Sequence, residues 1–326
     1  MTSTRKPFAI YYEHPDWFRP LFSELEKRDI SYTKLDAAKH RFNPSFSRSD
    51  TLEEGEYALF FNRMSPSAYL RGHGNSLFYT QALLSHYERK GVRVINGSTA
   101  YAYEINKARQ LELLASLGLD FPASEVINHP DMAVSASSQL RFPVVIKANI
   151  GGSGAGIVRY DTPESLQNAV EAGTVDLGED GTALVQEYTP ARDGRITRVE
   201  TLGGKFLYAI HVYTTGESFN LCPADICQTQ DGVALTRNAC PIDAPKSGLT
   251  VEAYTPPAFV INAIESIVQA AKVDVGGIEY MVDDRDGKIV YYDINSLSNF
   301  VADARRVVGF DPHERLVDFL VREAKN

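Results

Sequence analysis

The stretch VVIKANIGGSGAGIVRY, residues 144–160, limits the fold of this chain more than any other. An apolar run carries Lys147 near its end. A loop holding Gly151, Gly152, Ser153, Gly154 and Gly156 follows, and the chain resumes as the β-branched IVRYD. A Walker A loop places its lysine after the glycines, at the start of a helix. A dinucleotide fingerprint also opens a helix. Here the lysine comes first, the spacing from Gly152 is G-x-G-x-G, and a strand follows. The pattern predicts a glycine-rich loop between two antiparallel strands. Bare backbone N–H groups there can wrap phosphate oxygens, with Lys147 as a point charge beside them. A plain glycine-rich hairpin with a surface lysine satisfies the same pattern, so the rest of the chain must decide.

Before this loop, residues 8–14 read as a strand, 15–29 as an amphipathic helix and 30–36 as a second strand, a β-α-β opening. Residues 57–66 are a third strand, 76–91 a helix with a glycine stop and 92–97 a fourth strand. This is a small parallel α/β unit. Residues 102–118 read as one helix and 182–190 as an apolar strand turning polar. Two hairpins follow, one around Gly203-Gly204 and one around Asp286-Gly287, with a helix at 258–273 between them and a closing helix at the C-terminal end. The expected fold class is therefore α/β and α+β. The expected division is an N-terminal α/β domain at 1–100, a central part with the glycine loop at 101–188, and a C-terminal part with a metal site at 189–326.

The chain has 326 residues, a formal net charge of −9 and a pI of about 5.4. That balance argues against a general nucleic-acid surface, which needs clustered Lys and Arg. No apolar stretch approaches the roughly 18 residues of a membrane helix, and Glu13, His14 and Pro15 interrupt any signal-peptide core. A cytoplasmic chain without membrane or nucleic-acid partners is expected. Cys222, Cys227 and Cys240 lack zinc-site spacing and read as free thiols.

Two further groups of residues carry chemistry. In GGIEYMVDDRDGKIVYYDINSLSNF, Asp293 and Asn295 are two apart on a strand and share a face. Glu279 lies on the partner strand, and one register sets it opposite Asp293, whereas a one-residue slip separates them. Together they would form a hard-oxygen site suited to Mg2+. Asp283, Asp284 and Asp286 fall in the turn, where a solvated role suits them. In LVQEYTPARDGRITRVE, Gln186, Glu187 and Tyr188 could offer backbone groups to an adenine edge, with Asp193 reaching a ribose hydroxyl. Arg195 and Arg198 are three apart, so on a strand they face opposite ways.

In this order the segments resemble the ATP-grasp superfamily, and most of all its glutathione-synthetase-like branch, which includes the ribosomal-protein glutamate ligases. The resemblance covers nearly the whole chain. Lys107, in GVRVINGSTAYAYEINKARQLELL, matches the first ATP lysine and Lys147 the second. LVQEY matches the adenine hinge, TRVETLGGKFLYAI places Arg198 at the family's arginine, and Glu279, Asp293 and Asn295 match the metal strands. Glu279 stands where Asp is common and Asp293 where Glu is common. TTGESFNLCPADICQ holds Asn220 but lacks the arginine of related ligases. The resemblance implies an ATP-dependent carboxylate–amine ligase using Mg2+, with Mn2+ as an alternative. In such a ligase a carboxylate becomes an acylphosphate and an amine displaces the phosphate. Lys107, Lys147 and Arg198 would meet the developing phosphoryl charge. The competing functions are a kinase or carboxylase-type ATP-grasp enzyme and a non-catalytic nucleotide-binding protein.

The partners implied are small-molecule carboxylate and amine substrates, an amino acid or a peptide end among them; a homo-oligomer is compatible with the sequence. Position suggests Arg63, Arg195, Asn220 and Arg305, with its neighbour Arg306, as substrate contacts. His73, in RGHGN, reads as a plain loop residue beside the alternative of a lid.

Overall fold

The computed structural model describes residues 6–14, 16–45, 57–151, 156–213, 226–228, 234–236 and 250–325. The chain begins β1 (Phe8–Tyr12), α1 (Arg19–Lys27), β2 (Tyr32–Asp36), β3 (Leu59–Arg63), α2 (Gly74–Arg89) and β4 (Val94–Ile95). These four strands are parallel, in the order β2-β1-β3-β4. The order reverses between β1 and β3, whose carboxyl ends carry Glu13 and Arg63. Phe8, Ile10, Leu59 and Phe61 are buried from these strands, and Leu21, Phe22 and Leu25 of α1 pack against them.

The helix expected across residues 102–118 is two helices, α3 (Ser98–Glu104) and α4 (Lys107–Ser116). Asn106 breaks it. Its backbone is extended (φ −150°, ψ 97°), and its side chain accepts from the Arg109 N–H as an N-cap. The cap therefore makes Lys107 the first residue of α4.

Next come β5 (Ser124–Ile127), α5 (Met132–Ser137), β6 (Val144–Ala148), β7 (Ile157–Tyr160), α6 (Pro163–Glu171) and β8 (Ala183–Glu187). Strand β6 is antiparallel to both β7 and β8. The two strands read within residues 144–160 form and are antiparallel, while residues 152–155, with Gly152, Ser153 and Gly154, lie outside the described residues. Thr162 and Ser165 form the capping box that starts α6. After β9 (Arg195–Leu202) and β10 (Lys205–Tyr213), the short β11 (Ile226–Gln228) and β12 (Ala234–Thr236) return to this second sheet, giving β12-β11-β7-β6-β8-β5. Asn220, Cys222 and Cys240 lie outside the described residues, and Cys227 sits in β11.

The chain continues as β13 (Val251–Tyr254), α7 (Ala258–Ala270), β14 (Val275–Val282) and β15 (Ile289–Asn295). It closes with α8 (Ala304–Val307) and α9 (Pro312–Glu323). The third sheet runs β13-β10-β9-β14-β15. Alternation along β9, β10 and β14 gives this sheet two different faces. Val199, Ala209 and Ile278 meet Val260, Ile264 and Ile267 of α7. The opposite face carries Ile196, Ile210 and Val212, which share a core with β1, β3 and α9. Arg198, Glu200 and Glu279 lie on that same opposite face.

Candidate active site

The register left open by the sequence is settled. Glu279 pairs directly with Asp293 across β14 and β15, and Arg198 of β9 pairs with Glu279 on its other side. The ladder shifts between Glu279 and Tyr280, so Tyr292 bulges and its hydroxyl donates to Glu279 Oε2 at 2.9 Å. Arg198 Nη1 donates to Glu279 Oε1 at 2.8 Å and Nε to Glu200 Oε1 at 2.6 Å. Lys107 Nζ donates to Asp293 Oδ1 at 2.6 Å. All six side chains are buried, as is Lys147 on β6. Lys147 Nζ lies 6.0 Å from the Tyr292 ring centre.

Local folding explains why these residues meet. Asn149, just past β6, accepts from the Ala108 N–H through Oδ1 at 3.0 Å and from the Lys107 N–H through its carbonyl at 3.2 Å. Asn149 thus fixes the start of α4 against the strand that carries Lys147. One turn along α4, Gln110 clamps β15: Oε1 accepts from Ile294 N at 3.0 Å and Nε2 donates to Ile294 O at 2.9 Å. Glu104, buried at the end of α3, accepts from the Ser296 N–H. Gly277 lets Arg198 lie flat on β14, since a Cβ there would fall 2.5 Å from Nη2.

The electrostatics follow from burial and pairing. Burial pushes the Glu279 carboxyl up, and the neighbouring Asp293 charge adds to that against the pull of Arg198 and Tyr292. Burial acts the same way on Asp293, but the Lys107 and Lys147 charges override it and hold the group below the usual carboxylate range. Burial also raises Glu104.

The remaining candidate residues fall as follows. Gln186 is buried and donates to Ser124 Oγ at 2.8 Å. The N–H groups of Glu187 and Tyr188 are bonded to the carbonyls of Ala123 and Pro143. The Glu187 carboxylate accepts from the Arg141 N–H at 2.8 Å. Asp193 stands in a turn at φ 56° and pairs with Arg195 at 3.2 Å. Arg195 is half-exposed, on the face away from Arg198, as their spacing requires. Arg305 pairs with Glu314 at 2.7 Å and Arg306 with Asp303 at 3.8 Å, both on the surface. Arg63 is buried at the end of β3. His73 starts α2, and its Nδ1 lies 2.6 Å from Oε1 of the buried Glu13, which Arg71 also holds. His73 thus bonds a buried carboxylate from the short loop before α2 and is not simply a loop residue. Asp283 is a second correction: it is buried and clasped by Arg285, because the turn folds back onto the chain, while Asp284 and Asp286 are solvated as expected. Sequence reading also missed Glu104, Gln110, Asn149 and Glu200. Of these only Glu200 had a signal, being two residues from Arg198 on one strand.

The donor set fits a hard divalent cation. Glu279 and Asp293 adjoin on one face, and Asn295 lies two residues beyond Asp293. The buried Asn295 Nδ2 has no acceptor, so no hydrogen bond at the nitrogen holds the amide in its present sense. Among the described residues no cluster of three His, Cys, Asp or Glu forms another such site.

Residues 104–221 match the RimK-like ATP-grasp domain family. The match places a RimK-like ATP-grasp domain within those residues, about a third of the chain. Its relatives include a probable alpha-L-glutamate ligase of Thioalkalivibrio sulfidiphilus, 26% identical over 61% of this chain and 70% of that protein. A probable alpha-L-glutamate ligase of an Enterobacter species is 26% identical over 79% of this chain and 88% of its own length. The fold of the ATP-grasp ligase PsnB, solved with a phosphomimetic variant of its minimal precursor, Mg and ADP, superposes with a TM-score of 0.66. The two chains are 18% identical, with 98% of this chain and 99% of PsnB covered. The chain therefore shares the fold of this ATP-grasp ligase over nearly its whole length.

Proposed function

We propose that this ATP-dependent ligase joins a substrate carboxylate to an amine through an acylphosphate, and that one of the two substrates is glutamate or a close analogue. The observation that carries the reading is the buried row Lys107–Asp293 and Glu279–Arg198–Glu200, with Lys147 beside it. Cations held this close in a water-poor site suit phosphoryl transfer, where negative charge spreads over the transferred group. A carboxylate oxygen attacks the γ-phosphorus and ADP leaves; an amine then attacks the acyl carbon and phosphate leaves. Lys107 and Lys147 bind phosphate oxygens, and Arg198 faces the transferred group. Glu279, Asp293 and Asn295 would hold Mg2+, or Mn2+ in its place. The metal would neutralise phosphate charge when bound. The glycine-rich sequence at 151–156, most of it outside the described residues, would meet the phosphates and shield the acylphosphate from water. Gln186, Glu187, Tyr188 and Asp193 take the adenosine end. The names of the relatives support glutamate as the first substrate to try, as carboxylate or as amine. No helix among the described residues is long and apolar enough to cross a membrane, and a cytoplasmic site of action agrees with the sequence.

The test is ADP release from Mg-ATP with glutamate, alone and with a panel of amino acids and short peptides as amines. Amine-dependent ADP formation that vanishes in Lys147→Ala and Asp293→Ala is expected. Full turnover in either variant removes these residues from the site, and turnover without any amine replaces ligation with simple phosphoryl transfer.

A further inference from the structure

A cleft of about 750 Å3 opens between the start of α1, the loop 299–304 and the start of α9. Asp16 and Trp17 line one side, Arg305 and Arg306 another, and Asn299 and His313 form part of the wall. Behind that wall lies Arg63, only 3% exposed. Its Nη2 donates to the Ser298 carbonyl and, at 2.8 Å, to Asn299 Oδ1. Phe18 and Phe61 flank the guanidinium, each ring centre 5.0 Å away. Nε and Nη1 are buried with no acceptor.

Both acceptors are neutral oxygens. Among the described residues no carboxylate is ion-paired with Arg63, and Glu104 and Glu200 act on it only through space. Burial pulls its pKa down to about 9. An unpaired buried charge costs several kcal/mol, yet the fold keeps it. The surrounding loop is held under strain. Phe300 and Asp303 are non-glycine residues at φ 60° and 52°. Phe300 N donates to Ser298 Oγ, and Val301 N donates to the Tyr208 hydroxyl. Strain maintained by such bonds clusters at ligand clamps. The site also stands at the carboxyl end of β3, beside the reversal of strand order, where open parallel sheets bind ligands. The loop starts four residues past Asn295.

We propose that this cleft holds a substrate by a carboxylate that the reaction does not consume, with Arg63 as its counter-charge and a carboxylate oxygen replacing Asn299 Oδ1. Nη2 lies between Nε and Nη1 on the guanidinium. A carboxylate bonded to Nη2 therefore reaches an adjacent unpartnered N–H on either edge and forms a fork. At the rim Arg305 and Arg306 are balanced by Asp303, Asp311 and Glu314, and the acids Asp16, Asp303 and Asp311 of the lining suit an ammonium on the same molecule. The substrate class is thus an amino acid or peptide with a spare carboxylate. The word substrate rests on the ligase reading; the binding itself does not.

The test is calorimetric titration of the full chain, loaded with Mg-ADP, with L-glutamate and with its two monoamides, glutamine and isoglutamine. At least one monoamide is expected to bind tenfold or more weakly than glutamate to the wild type. In Arg63→Gln that ratio is expected to fall to within about twofold. Equal binding of all three probes by the wild type overturns the proposal, and so does a ratio that survives in Arg63→Gln. Because the ratio is taken within one protein, a general loss of affinity cancels. Should Arg63→Gln fail to fold, Arg63→Lys keeps the charge without the fork: a several-fold smaller ratio is expected, and an unchanged one overturns the proposal. No turnover is needed, so a failure here is separable from failure of the ligase reading, which appears as absent ADP release.

Discussion

Asp293 is the residue on which most of the site depends. It accepts the Lys107 ammonium at 2.6 Å inside a buried region, and the Lys147 charge also acts on it. A buried pair of this kind adds little net stability while intact, but losing one partner strands a desolvated charge. Asp293→Ala is therefore expected to cost about 3–5 kcal/mol of folding stability, read from the midpoint and slope of urea unfolding. Lys147→Ala removes a cation flanked by Tyr292 and leaves the Lys107–Asp293 pair in place. Its expected effect is on rate: kcat for ADP release should fall roughly 10²–10³-fold, the cost of one preorganised electrostatic partner. Measuring unfolding and turnover on both variants separates the two roles. A Lys147→Ala variant with unchanged kcat would place that lysine outside the reacting charge.

At the scale of elements, the site depends on two strands lying close enough for Arg198 to rest on Gly277. The backbone of Gly277 is not left-handed, so alanine fits its conformation. The added methyl would instead sit 2.5 Å from Arg198 Nη2. Gly277→Ala should push the guanidinium off Glu279 and cost about 1–3 kcal/mol by overpacking, with ADP release falling alongside. Urea unfolding and initial rates on the purified variant check both, and a variant with wild-type values would show that β9 and β14 can separate at no cost. The GGIEY stretch was legible as a strand, as were the other long runs of alternating or fully apolar residues, because local pattern fixes them. The Glu279–Asp293 register was not, since it is set by pairing with β9 and by the bulge at Tyr280. Nor were β5, α5 and β13, all of six residues or fewer. Their patterns are too short to outweigh tertiary context. The residues that matter most and were missed, Gln110 and Asn149, are polar side chains bonded to main chain far along the sequence. No spacing rule marks them. The break between α3 and α4 did carry a signal, an asparagine before a lysine, but the apolar periodicity ran across it.

Across the whole molecule, the N-terminal sheet is tied to the metal hairpin by one fully buried residue. Asn96, at φ 52°, donates through Nδ2 to Val275 O and Ser296 O, and its Oδ1 accepts from Asp274 N and Val275 N. Two buried histidines and one half-buried one are distributed over the same body. His86 packs on Phe42 and Tyr87 in the N-terminal unit, His211 stacks on Tyr254 at 3.9 Å on the third sheet, and His313 meets Phe300 edge-on at the start of α9. Burial lowers the pKa of each below its ordinary value, with help from Lys90 and Arg89 at His86, from Arg195 at His211 and from Arg63 at His313. Glu252 opposes the shift at His211, and Asp311 and Glu24 oppose it at His313. The folded chain thus holds all three neutral at pH values where the unfolded chain protonates them, near 6.5. The unfolded state then binds more protons, so stability rises with pH. It should be complete above about pH 7 and decline as pH falls through 6.5 toward the depressed folded values, by up to about 1.4 kcal/mol per pH unit for each histidine. Glu13 and Asp283, whose pKa values are lowered by Arg71 with His73 and by Arg285 against the opposing effect of burial, add a second loss only near the ordinary carboxylate range. Urea unfolding between pH 8 and 5 should therefore show a decline that sets in as pH falls through about 6.5 and is shallower in His211→Gln and His313→Gln. A flat profile over that interval would mean that the folded chain takes up these protons as readily as the unfolded one.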